Sequence, residues 1–200
     1  PTLLKGIDLT KVEINIDCCP SKAVDVAKAL VEYIKAQGAT ETFRGSIAFN
    51  PLRKALRHGT PLCDSVVSKA VALIEAVKDI PAIRVIDVDS AMFCNAGAFI
   101  YEELGYALAW GAQWMTALTE AGVSVDEAAR RIKFDMGVSS NFFMEIAKFR
   151  AGRMLWADII KQYKPADEAA AKMMVHASTS RYNQTIFDAH VNLLRSQTET

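Results

Sequence analysis

Short β-like runs alternate with longer helical runs five times along this chain, and that alternation constrains the fold more than any single motif. Val12-Glu-Ile-Asn-Ile-Asp17 alternates apolar and polar residues, the period of a strand. Pro20 and Ser21 then open a helix to about Ala36, closed by Gly38. Phe43–Phe49 reads as the second strand, and Thr60-Pro61 as the N-cap and first turn of a helix to about Lys78. Ala82–Val88 is rich in β-branched residues and reads as the third strand, followed by a helix from near Ala96 to Ala121. Ser124-Val-Asp-Glu127 has capping-box spacing and predicts a short extra helix before a strand at Ile132–Asp135. A long helix from Asn141 to about Tyr163 carries the stripe Phe143, Ala147, Ala151, Leu155 and Ile159, which predicts its packed face. Pro165 ends it, Met173–Ala177 reads as the last strand, and a helix over Ile186–Arg195 follows.

Strands joined by helices of this length require right-handed crossovers and a parallel sheet. The pattern alone permits a doubly wound sheet or a barrel. No G-x-G-x-x-G follows the first strand and no G-x-x-x-x-G-K occurs. The expectation is therefore an α/β fold that is part of a TIM-type (β/α)8 parallel barrel, with about five βα units over residues 1–200. A complete barrel takes roughly 250 residues. The chain begins at Pro1 and stops at Gln197-Thr-Glu-Thr200 inside a helical pattern, so a segment of a longer polypeptide is expected.

Composition narrows the function classes. Apolar residues make up 51% and charged residues 23%, with zero formal net charge. No basic stripe points to nucleic acid, and no apolar run is long enough to span a membrane. Cys18, Cys19, Cys63 and Cys94 show no zinc-ligand spacing and read as reduced thiols of a cytoplasmic protein.

The run Asn141-Phe-Phe-Met-Glu-Ile-Ala-Lys-Phe-Arg-Ala-Gly-Arg-Met-Leu-Trp156 resembles a signature helix of the adenosylcobalamin-dependent acyl-CoA mutases, methylmalonyl-CoA mutase above all. Phe43-Arg-Gly-Ser-Ile, Ala96-Gly-Ala98 with Tyr101-Glu-Glu-Leu, and His176-Ala-Ser-Thr-Ser180 resemble other segments of that family, in its order. In the signature helix, Phe142, Phe143, Met144, Ile146, Leu155 and Trp156 are expected to be mostly core. The resemblance implies a substrate-binding barrel, with further barrel units and a C-terminal cobalamin-binding-like domain beyond this chain.

The resemblance also implies a site, and the residues depart from it. The family's Tyr-His pair falls on Ala91 and Met92, and its pocket glutamine on Ala48. The arginine that clamps the substrate carboxylate falls on His58, with Arg57 one residue away. The lysine toward the CoA end falls near Ala169. The second pocket histidine is kept as His176, but its glutamine partner is Ser178. No catalytic or metal residue is therefore expected, and His176, Ser178, His58 and Arg57 are weak remnant candidates for ligand contact.

Two further patterns read as decoys. Asp188-Ala-His190 mimics the family's cobalt-ligand motif but lacks its glycine and lies in a helix. Asp87 and Asp89 share a strand face, with Asp135 on the next strand, and read as solvated or salt-bridged rather than metal ligands.

Heterodimeric members of the family pair a large catalytic subunit with a related small subunit that has lost its site, and the chain resembles the latter. On that reading it supports the isomerisation of methylmalonyl-CoA to succinyl-CoA, binding no cofactor itself while adenosylcobalamin serves the holoenzyme. The alternatives are a competent cobalamin-dependent mutase with a rearranged pocket, and a relic through which CoA still threads.

Overall fold

The computed structural model describes residues 3–199, apart from the side chain of the last of these. Its elements are β1 (Ile14–Asp17), α1 (Ala23–Ala36), β2 (Gly45–Phe49), α2 (Pro51–His58), α3 (Val66–Ala76), β3 (Ile83–Asp89), α4 (Ala91–Asn95), α5 (Ile100–Glu120), α6 (Val125–Arg131), β4 (Ile132–Val138), α7 (Phe142–Gln162), a 3-10 turn (Glu168–Ala171), β5 (Val175–Thr179) and α8 (Ala189–Glu199). The strand order is β1-β2-β3-β4-β5, and the β1–β2, β2–β3 and β4–β5 pairings are parallel. A doubly wound sheet reverses direction at a switch point, and this order has none. The fold is part of a TIM-type (β/α)8 barrel.

The chain divides into two compact units. The first holds residues up to Asp87 together with Ala117–Ser124. Here α1 buries Ala23, Ala27, Leu30, Val31 and Ile34, and α3 buries Ala70, Leu73 and Ile74. Both stripes step by three and four, and Phe43, Ile47, Val85 and Ile86 are buried with them.

The expected helix start at Thr60 is corrected. Asn50 caps an unforeseen helix, α2, by accepting from the Arg53 N–H at 2.9 Å, with Pro51 in its first turn. Gly59, at φ 61°, ends α2, and the Thr60 N–H donates back to the Ala55 carbonyl. Thr60 thus finishes one helix, and α3 begins only at Val66. The apolar periodicity missed α2 because none of its residues is buried.

The second unit holds Val88–Thr116 and the residues from Val125 onward. Helix α5 starts at Ile100 rather than near Ala96, because Gly97 at φ 94° breaks the path after the five-residue α4. Phe134 of β4 and Trp156 of α7 meet edge to face at 4.7 Å. Gly111 lets α5 approach them: a Cβ there would lie 2.7 Å from Phe134 and 2.8 Å from Trp156.

The expected packed face of α7 is also corrected. Its buried residues are Glu145, Lys148, Gly152, Trp156 and Ile160. Phe143 is 81% exposed, and Phe142, Met144, Ile146 and Leu155 are exposed with it. Of the signature residues expected in the core, only Trp156 is there. The inner face is polar in its first turns because Glu145 and Lys148 neutralise each other, so burial costs less than it would for either alone.

Asp126 of α6 accepts the N–H groups of Ala166 at 3.1 Å and Asp167 at 2.8 Å. The Asp167 and Ala166 N–H groups, in that order, hold its carboxyl below the ordinary aspartate value. A depressed acid stabilises the fold above its unfolded pKa, and that contribution is lost as pH falls through the folded value. Asp126→Ala is expected to free the loop before the 3-10 turn, speeding tryptic cleavage after Lys172 several-fold near neutral pH, with Asp126→Asn intermediate. Unchanged cleavage would show that these bonds do not hold the loop.

Candidate functional site

The register of β4 and β5 sets Asp135 beside His176 and Gly137 beside Ser178. Asp135 Oδ1 pairs with His176 Nδ1 at 3.1 Å and accepts from Ser178 Oγ at 3.2 Å. His176 is half exposed, while the Asp135 side chain is largely covered. The two sequence candidates on β5 thus converge on one carboxylate. This arrangement orients the imidazole with its Nδ1 toward Asp135, as a carboxylate does for a general base. It does not build a nucleophile, because Ser178 spends its proton on Asp135 rather than on His176.

Arg57 and His58 end α2 in the first unit, where cations suit the helix C-terminus. They line a cavity of about 280 Å3 with Asp17, Ala48, Asn50 and Arg53. Arg53 pairs with Asp17 at 3.2 Å. Ala48, Arg57 and His58 therefore line one pocket.

Ala91 is buried and Met92 half-buried at the start of α4, so neither is a strand end and neither offers a proton. Asp188 Oδ1 accepts the N–H groups of His190 at 2.9 Å and Val191 at 3.0 Å. The Asp-x-His pattern is a helix cap. These residues do not fit adenosylcobalamin: the ribose contact is replaced by apolar groups, and the histidine sits exposed on α8.

Asp87 and Asp89 are buried, so of the two expected states the solvated one does not hold. Asp87 accepts from Asn50 Nδ2 at 3.4 Å. Among the described residues, no group of three or more histidine, cysteine, aspartate or glutamate side chains could hold a metal ion.

Sequence reasoning missed the largest buried polar cluster. Lys148 Nζ lies 2.6 Å from Glu103 Oε2 and 2.6 Å from Glu145 Oε2, all inside the second unit. Lys148 also donates to the Gly137 carbonyl, and the Gly137 N–H donates to Glu103 Oε1 at 2.7 Å. Ser139 Oγ donates to Glu145 at 2.6 Å, and Ser90 Oγ to Glu103 at 3.3 Å. Burial pushes the Glu103 carboxyl up, and Lys148 pulls it back. The available signal was a glutamate and a lysine three apart in the otherwise apolar run Phe142–Phe149. With Lys148 and Glu103 fully enclosed, the cluster braces α5 and α7 against β4 rather than meeting a substrate.

A cavity of about 720 Å3 in the second unit opens past the C-terminal ends of β4 and β5, beside Ser139, Ser140, Glu145, Phe149, Ala177 and Arg195. Barrel sites gather at that end. Yet Ala177 alternates with His176 and Ser178 along β5, so this cavity lies on the opposite strand face from the residues with chemistry.

A model of the methylmalonyl-CoA mutase family matches residues 1–200. The chain belongs to the methylmalonyl-CoA mutase family. It is 48% identical over 200 residues to the methylmalonyl-CoA mutase small subunit of Porphyromonas gingivalis, covering 99% of this chain and 32% of that protein. It is 32% identical over 196 residues to the small subunit of Streptomyces virginiae, covering 96% of this chain and 31% of that one. The human mitochondrial methylmalonyl-CoA mutase is 30% identical over 201 residues, 98% of this chain and 27% of that enzyme. The chain spans about a third or less of the length of the relatives it matches. Among the described residues, no helix is long and apolar enough to cross a membrane.

Proposed function

We propose that the chain is part of a non-catalytic small subunit of methylmalonyl-CoA mutase. It supports a large catalytic subunit that isomerises methylmalonyl-CoA to succinyl-CoA with adenosylcobalamin. The observation that carries this reading is Ala91 and Met92, which put a buried methyl and a thioether where the chemistry needs a hydrogen-bonding ring and an acid. The 48% identity over 200 residues to a protein named small subunit supports it. The rest of the polypeptide would supply the remaining barrel units and a cobalamin-binding-like domain. The heterodimer would work in the cytoplasm.

His176 and its Asp135 are then a surviving pair without a task, and Arg57 and His58 a basic helix end. The test is reconstitution of the native polypeptide with its large subunit. Mutase activity is expected only when both are present. His176→Ala and the double variant Arg57→Ala/His58→Ala are expected to keep it within about twofold, since residues outside the reacting groups contribute little to the barrier. Turnover by the small subunit alone, or a hundredfold loss in either variant, would establish the rearranged-pocket enzyme instead.

A further inference from the structure

The first unit contains a pair of thiols that the mutase reading leaves unused. Cys19 lies between β1 and α1, and Cys63 in the irregular stretch between α2 and α3. Both are exposed and neither is in a disulfide. They line one cavity of about 300 Å3, walled by Pro20, Pro51 and Leu62 and by the stems of Lys54 and Lys69. Each thiol repeats the same local arrangement with a serine two residues on. Cys19 Sγ is 3.2 Å from Ser21 Oγ, and Cys63 Sγ is 3.0 Å from Ser65 Oγ.

The surroundings separate these two thiols from the other two. Ser21 and then Lys54 and Lys22 hold the Cys19 thiol below its ordinary value. Ser65 and then Lys69 do so for Cys63, with Asp64 opposing. Burial pushes Cys94 up, with Ser180 pulling the other way, and burial with Asp17 pushes Cys18 up. The thiolate is the nucleophile, so exposure and charge single out the same pair.

We propose that Cys19 and Cys63 form a dithiol site for small anionic disulfides, which they reduce while closing a bond between themselves. Cys19, with Lys54 and Lys22 beside it, attacks first. Its sulfur bonds to one sulfur of the incoming disulfide, the old S–S bond breaks, and the departing thiolate takes a proton from water. Cys63 then attacks Cys19 Sγ and releases the second thiol in the same way. The protein dithiol loses two electrons, and the small disulfide gains them as two thiols. Lys54 and Lys69 select anionic partners by their charge at the wall of the groove. Cys19, Pro20 and Lys54 also border the cavity of Arg57 and His58, so the bond would stiffen one wall of that pocket.

The experiment uses the reduced native full-length protein in its complex, treated with glutathione disulfide and followed by peptide mapping. A glutathione adduct on Cys19 is expected first, then a Cys19–Cys63 linked peptide, with Cys18 and Cys94 untouched. Cys63→Ser should trap the Cys19 adduct, which also shows that the variant keeps the groove. Lys54→Gln/Lys69→Gln should slow the reaction about tenfold with glutathione disulfide. The same variant should slow much less with neutral hydroxyethyl disulfide, where only the smaller thiolate fraction acts. Stable adducts on both cysteines without a linked peptide, or equal modification of Cys18, would overturn the proposal. Equal slowing with both reagents would overturn its anion selectivity.

Discussion

Lys148→Met is expected to destabilise the second unit by about 3–5 kcal/mol, the cost of removing one partner from a buried ion pair. The substitution leaves the buried Glu103 and Glu145 without the cation that both pair with. It also strips the Gly137 carbonyl of a donor, so a β4 amide and a β4 carbonyl lose their bracing together. The pH dependence has a definite sign. Burial already raises the Glu103 carboxyl, and a raised acid stabilises the fold only below its unfolded pKa, losing that contribution as pH rises through the folded value. Without Lys148 the Glu103 carboxyl rises further, so the defect should shrink on acidification through its folded value and grow as pH rises through it. Glu103→Gln leaves Lys148 paired with Glu145 and should cost much less. The readout is hydrogen exchange over residues 132–140 in the full-length protein. Wild-type protection in Lys148→Met would mean the cluster contributes nothing net.

The strands were legible because each carries its own signal. The β-branched run Ile83–Asp89 and the alternation ending at Asp17 lie within a residue or two of their expected places. Caps were legible only when apolar periodicity pointed to them. Asn50, Pro51 and Gly59 spell a helix, but α2 buries nothing, so the reading moved on to Thr60. On α7 the same habit failed in reverse. A stripe of apolar residues four apart suggested a packed face, whereas the buried side is set by two charges whose partners lie on α5 and in their own turn. Pairing between residues 45 apart is a tertiary fact that no local period encodes.

The candidate site divides along the same line. His176 and Ser178 could be named from the resemblance, and their meeting at Asp135 follows from a parallel register that sequence does not fix. Asp135 was read with Asp87 and Asp89 as solvated or salt-bridged, without His176 as its partner. It serves instead as the acceptor that ties β4 to β5 on this face. The exposed ring of Phe142 and Phe143 carries a related lesson. A segment can identify a family without supplying its core.

Gly45→Ala is expected to cost about 3 kcal/mol or more, beyond the usual range for an added methyl group. A Cβ at Gly45 would lie 2.1 Å from the Ile14 carbonyl oxygen and 3.0 Å from the Phe43 ring. The oxygen belongs to the backbone of β1, which pairs in register with Gly45, so no rotamer change relieves the contact. Relief requires moving β1 away from β2, and the Ile14 N–H bond to the Arg44 carbonyl would stretch with it. Gly38→Ala is the control. That position meets open space and pays only for its φ of 67°, about 1–2 kcal/mol. The comparison separates steric exclusion from backbone strain in one unit of the fold. Exchange of the β2 amides should rise sharply in Gly45→Ala and little in Gly38→Ala. Equal, small effects would show that the β1–β2 approach is looser than a 2.1 Å contact allows, and the Arg44-Gly45-Ser46 segment would then owe its form to something other than packing.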